Sequence, residues 1–117
     1  MPEIVFFNSE CQIINVESSG KTDIEDWRKS LNEINNLSTE HNVKKVLVDT
    51  SLQEGSPSEV DIFNFAIEIP EKLKVAIYDP KIKSQKQEFL AKVGQARKKQ
   101  LCLFKQKEKA IEWLHCS

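Results

Sequence analysis

The chain has little of what surface chemistry usually requires. Its two histidines, His41 and His115, each flank a predicted helix end, and neither sits in a triad pattern. Its three cysteines, Cys11, Cys102 and Cys116, are odd in number and widely spaced, so they form no disulfide framework. None belongs to a C-x-x-C pair, and His115-Cys116 has no second ligand pair, so no zinc site is expected. Neither a Walker motif nor G-x-G-x-x-G is present, which removes the usual phosphate-cradling loops. No apolar run approaches the length of a membrane span. Met1-Pro2-Glu3 leads into a short strand-like run and not into a secretory signal, so a cytoplasmic protein without membrane insertion is expected. No cofactor is implied, and no catalytic constellation is recognisable.

What is present fits one globular domain of 117 residues, with 39% apolar and 30% charged residues. Charge is divided unevenly. Residues 1–71 hold 5 Lys/Arg against 14 Asp/Glu, a net of −9, and residues 72–117 hold 12 against 4, a net of +8. Such a split can mark an anionic partner, or two solvated faces that neutralise each other within a monomer or across a dimer. The solvated faces are the simpler account.

The central stretch runs from Lys44 to Ser58. Val46-Leu47-Val48 reads as a strand buried on both faces, ended by Asp49-Thr50. A polar loop is expected next, and then a helix opened by a capping box of Ser56 and Glu59, with Pro57 at the first helical position. A strand that delivers a polar loop to a helix N-terminus is the usual site architecture of α/β proteins.

Before this stretch, Glu3–Phe7 and Gln12–Val16 form a predicted hairpin about Asn8-Ser9-Glu10, and Ser18-Ser19-Gly20-Lys21 breaks the second strand. Thr22 with Glu25 forms a capping box for a helix that runs to about Glu40, with Ile24, Trp27, Leu31 and Ile34 as its apolar stripe. The helix after Ser56 is apolar nearly all round. Val60, Phe63 and Ile67 are expected to face the core, and Ile62, Phe65 and Ile69 to form a second, partner-facing surface. Leu73–Tyr78 is a strand, and Ser84 with Gln87 caps a third helix that buries Phe89, Leu90 and Val93. Gln100–Phe104 is the last strand, and Lys107–His115 a final helix that docks Ala110, Ile111 and Leu114. The order is β-β-α-β-α-β-α-β-α, an α/β fold with a mixed, mostly parallel five-stranded sheet.

The order of elements resembles that of the STAS superfamily, and more specifically the small stand-alone proteins grouped as SpoIIAA-like (anti-sigma-factor-antagonist-like). The matching residues are the strand VLVDT with its loop to Gly55-Ser56, the run IPEKLKVAIYDP, and the ending LCLFKQKEKAIEWL. The resemblance implies helices mainly on one face of the sheet, strands that neighbour each other in sequence order, and no enzymatic activity. It also implies action through protein partners, with nucleotides or lipids bound by some members. The family's regulatory serine lies at the start of the second helix in an Asp-Ser-Ser/Thr-Gly setting. Here Asp49-Thr50-Ser51 lacks the following glycine, and position points to Ser56 or Ser58.

The expected role is therefore a regulatory or protein-interaction module, with a partner of unstated identity or a homodimer. Its binding or regulatory loop comprises Asp49, Thr50, Ser51, Gly55, Ser56 and Ser58. One alternative is a carrier or sensor of a small apolar or lipid-like ligand. Another is weak, non-specific nucleic-acid binding through Lys81, Lys83, Lys86, Lys92, Arg97, Lys98, Lys99, Lys105, Lys107 and Lys109. Base readout is not expected, because this segment has a single Arg and few aromatics.

Overall fold

The structure, a computed structural model, describes residues 3–55, 57–80 and 85–116. The elements are β1 (Glu3–Asn8), β2 (Ile13–Lys21), α1 (Ile24–His41), β3 (Lys45–Gly55), α2 (Glu59–Glu68), β4 (Lys74–Tyr78), α3 (Gln85–Ala96), β5 (Gln100–Phe104) and α4 (Lys107–His115). They follow the expected order. The strands form one five-stranded sheet in the order β1-β2-β3-β4-β5, antiparallel at β1/β2 and parallel elsewhere.

Alternation along the strands sends successive side chains to opposite faces. Ile14, Val16, Val46, Val75, Ile77 and Leu101 pack under α1, α2 and α3. Ile13, Leu47 and Ala76 pack on the other face, under Ala110 and Leu114 of α4. Three helices thus cover one face and one covers the other. The ammonium of Lys74 on β4 donates to the Trp113 and Cys116 carbonyls and lies over the Trp113 ring, which holds the C-terminal end of α4 on the sheet.

Gly94 stands inside α3, where a glycine costs helix stability. A Cβ there would lie 2.5 Å from Leu101 Cδ1, so the absence of a side chain lets α3 approach β5. Lys98 then adopts φ 63°, and the Lys99 N–H donates to the Gly94 carbonyl at 2.8 Å, which closes the helix in a left-handed cap.

The structure departs from the predicted elements at three places. First, Ser18–Lys21 does not break β2, and Asp49–Gly55 is not a loop. The two segments pair with each other as far as Lys21↔Gly55, with register shifts between Glu17 and Ser19 and between Gly20 and Lys21. Secondly, α1 is capped by Asp23 and not by Thr22. The Asp23 carboxylate accepts from the Asp26 N–H at 2.9 Å, and the Asp26 carboxylate accepts from the Asp23 N–H at 3.0 Å. Thirdly, α2 is capped by Ser58, whose hydroxyl accepts from the Asp61 N–H at 3.3 Å. Pro57 therefore precedes the cap and is buried. Ser56 and Ser84, the other predicted caps, lie outside the described residues.

Thr22 instead ties the β2–β3 extension to α1. Its N–H and hydroxyl both donate to the Gly55 carbonyl, at 3.0 and 3.1 Å. Its hydroxyl oxygen accepts from the Trp27 indole N–H at 3.1 Å and from the Gln53 amide at 3.3 Å. Thr22→Val keeps the shape but strips partners from buried donors, so unfolding should become easier by about 1–3 kcal/mol. Asp23→Ala should cost about 1 kcal/mol by loss of the cap. Urea denaturation of both variants checks the pair of assignments, and a silent Asp23→Ala would return the cap to Thr22.

Candidate interaction site

The C-terminal ends of β3, β4 and β5 are where an open α/β sheet presents ligand-binding groups. Asp49 lies midway along β3, level with the C-terminal ends of β4 and β5 through its pairing with Tyr78. One carboxylate oxygen accepts from the Ser51 N–H at 2.9 Å, and the other is 3.9 Å from the Lys107 ammonium on α4. Thr50 is buried and donates its hydroxyl to the Tyr78 carbonyl at 3.0 Å, which bolts β3 to β4. The Gly55 carbonyl receives both bonds from Thr22, and Ser58 caps α2. The expected binding-loop residues are thus spread along a strand and a helix start, and Asp49, Thr50, Gly55 and Ser58 each have an internal partner. Among the described residues, no group of three or more His, Cys, Asp or Glu could hold a metal ion. Nor is any helix among them long and apolar enough to cross a membrane.

The apolar faces of α2 are the reverse of those expected. Ile62, Phe65, Ala66 and Ile69 are buried, and Phe65 meets Trp27 edge-on with ring centroids 5.2 Å apart. Ile62, Phe65 and Ile69 are therefore core and offer no partner surface. Val60, Phe63 and Ile67 remain 70%, 37% and 45% exposed. Asn64 carried the signal for this orientation. At 100° per residue it projects between Val60 and Glu68, so burying Val60 and Ile67 would draw an amide toward the core. Ala66 agrees, since a small residue on the inner face lets the helix approach the sheet.

α2 lies between α1 and α3, and its two flanks differ in charge. On the α1 side, the guanidinium of Arg28 bonds Glu68 at 3.1 Å and reaches Glu25 at 3.4 Å. On the α3 side, the Arg97 guanidinium lies 5.2 Å from the centroid of the Phe63 ring, a cation–π contact.

Beneath α1, α2 and α3 is a cavity of about 70 Å³ with almost wholly apolar walls, among them Leu31, Val46, Phe65 and Leu90. A void of roughly 150 Å³ takes benzene, so this one has room for a few heavy atoms and none for an acyl chain. Glu3 stands at its wall and accepts from the Ser30 hydroxyl at 2.5 Å. Burial pushes the Glu3 carboxyl above the ordinary carboxylate range, and Asp26 adds to the shift, while hydrogen bonds from Ser30 and Ser18 oppose it.

The sequence matches no family model, and no curated protein matches it. A solved structure does match in three dimensions. It is an uncharacterised protein of the DUF3478 family, with a SpoIIAA-like fold, from Shewanella loihica PV-4. The two share 18% identity with a TM-score of 0.61, over 96% of this chain and 91% of that one. The chain has a SpoIIAA-like fold. At this identity the match speaks for the fold alone, in agreement with the sheet order and the division of helices.

Two outcomes follow from these contacts. The Glu3 carboxyl holds its proton more tightly folded than unfolded. Its contribution to stability is complete below the unfolded value and is lost as pH rises through the folded one. Glu3→Gln should therefore gain on the wild type as pH rises from the acid range to neutrality, and urea midpoints measured across that range check it. At Ser58, replacement by Ala should cost about 1 kcal/mol while replacement by Asp should cost little, since Asp also caps well. Thermal unfolding of the two variants checks the cap.

Proposed function

We propose that this SpoIIAA-like chain is a non-enzymatic interaction module that engages a protein partner through the outer face of α2. One observation carries the reading. α2 fills the core with Ile62, Phe65, Ala66 and Ile69, yet keeps a second apolar stripe, Val60, Phe63 and Ile67, in solvent. Exposed aliphatic and aromatic side chains in a single stripe, with charged neighbours on both flanks, have the composition of a small interface: an apolar centre within a polar rim. The polar groups at the strand ends support the same reading, because they bond to one another and hold the elements that present α2.

Ile67→Ser and Phe63→Ser test the reading. Both positions are partly exposed, so each variant should unfold within about 0.5–1 kcal/mol of the wild type. In co-purification from the native source, a partner retained by the wild type should be lost from both variants. Equal retention by all three proteins would overturn the assignment to α2.

A further inference from the structure

We propose that the end of the sheet at which β3, β4 and β5 begin binds the phosphate backbone of a nucleic-acid duplex without reading its sequence. The surface does not use the α2 stripe, so it stands or falls independently of the reading above.

Parallel pairing gathers the starts of these strands at one end of the molecule. Lys45, Lys74 and Gln100 are level across β3, β4 and β5, and the Lys74 N–H donates to the Lys44 carbonyl at 2.8 Å. The connections that lead into the three strands, residues 42–45, 69–74 and 97–100, hold seven basic residues against one acidic residue, Glu71. Three of the cations are already engaged. Lys74 holds α4, the Lys45 ammonium lies 3.0 Å from His115 Nδ1, and Arg97 lies over the Phe63 ring. Lys44, Lys72, Lys98 and Lys99 remain. The first three are exposed and Lys99 is half-buried. Among the described residues, none of these four side chains has a hydrogen bond or an ion pair. Glu71, and Glu40 in the last turn of α1, temper the charge, and the four lysines outnumber them. Helix dipoles do not account for the cluster, since the last turns of α2 and α3 hold no basic residue.

The chemistry of this end selects the partner. Neighbouring strands lie about 4.8 Å apart, so the lysines form a row about 10 Å across at the backbone. A duplex carries one phosphate charge per about 1.7 Å of its axis, dense enough for each ammonium to meet one. An ammonium is a point charge that suits phosphate, and it lacks the fork that reads a base edge. A single strand calls for aromatic platforms on which bases stack. The three connections contain no aromatic residue, and the nearby His41 ring is already stacked on Phe7 at 4.0 Å. A protein partner calls for an apolar centre, and a lipid surface for an apolar anchor. The large apolar residues of the connections, Val43, Ile69 and Leu73, are all buried. Cations with neither exposed apolar nor aromatic neighbours match a phosphate backbone and nothing more specific.

Fluorescence anisotropy of a labelled DNA duplex of mixed sequence, titrated with the full chain between about 20 and 150 mM KCl, tests it. Affinity should fall with salt at a log–log slope of about −3 to −4, the value for four phosphate contacts. Lys72→Glu combined with Lys99→Glu should weaken binding by about tenfold or more and reduce the slope by about two. Lys105→Glu combined with Lys109→Glu makes the same change in net charge at the opposite end of the sheet. It should alter affinity by no more than about threefold at the higher salt, where distant charges are screened. Thermal unfolding shows that both variants are folded. No binding at low salt, or equal losses in the two variants, overturns the proposal. Tighter binding to a single strand of the same sequence overturns the duplex. Retention on phosphatidylserine vesicles without binding to the duplex assigns this end to a lipid surface and overturns the proposal as well.

Discussion

The parallel ladder between β2 and β3 is the contact on which the other elements depend. Both strands are interior, and each sends apolar residues to both faces: Ile13 and Ile14 from β2, Val46 and Leu47 from β3. The ladder runs beyond the apolar segment to Lys21 and Gly55, further than either strand pairs with its other neighbour. Backbone bonding sustains this extension, since its side chains are mostly polar. Thr22 closes it with two bonds to one carbonyl and receives the Trp27 indole from the first turns of α1. The point at which α1 leaves the sheet is thereby fixed, and the packing of Trp27 on Phe65 passes that fix to α2.

The extension also determines what α2 can do. β3 ends at Gly55 and α2 begins at Glu59, so the chain has three residues in which to turn. A buried Pro57 and the Ser58 cap occupy two of them. With its start so constrained, α2 lies across the sheet between α1 and α3 and buries the face that includes Ala66. Among the described residues no element covers the opposite stripe, and α4 lies on the other face of the sheet.

Much of this order was legible from residue patterns. Val75–Ile77, Leu101–Leu103 and the helix from Lys107 to His115 have strong periodicity and short connections, and they lie where the spacing places them. The β2–β3 extension was not legible. Ser18, Ser19 and Gly20 on one strand and Ser51, Gln53 and Glu54 on the other have low strand preference, and their pairing partner lies more than thirty residues away. The caps of α1 and α2 lie one and two residues beyond the predicted ones, because Thr22-Asp23 and Ser56-Pro57-Ser58 both offer more than one capping oxygen in succession. The second helix presented two apolar stripes of similar strength, and the choice between them rested on the single amide of Asn64.

The charge division of the sequence acquires a location in the fold. α1 and α2 belong to the acidic segment before residue 72, and α3 belongs to the basic segment after it. The sheet order sets these three helices side by side on one face, so the boundary between acidic and basic halves falls in the seam between α2 and α3. Phe63 and Arg97 meet in that seam. A charge split along the chain would be only a matter of net composition if the halves were intermixed in space. Here the topology turns it into a transverse gradient across the face that bears the exposed Val60, Phe63 and Ile67, and a gradient of that kind gives the face a direction.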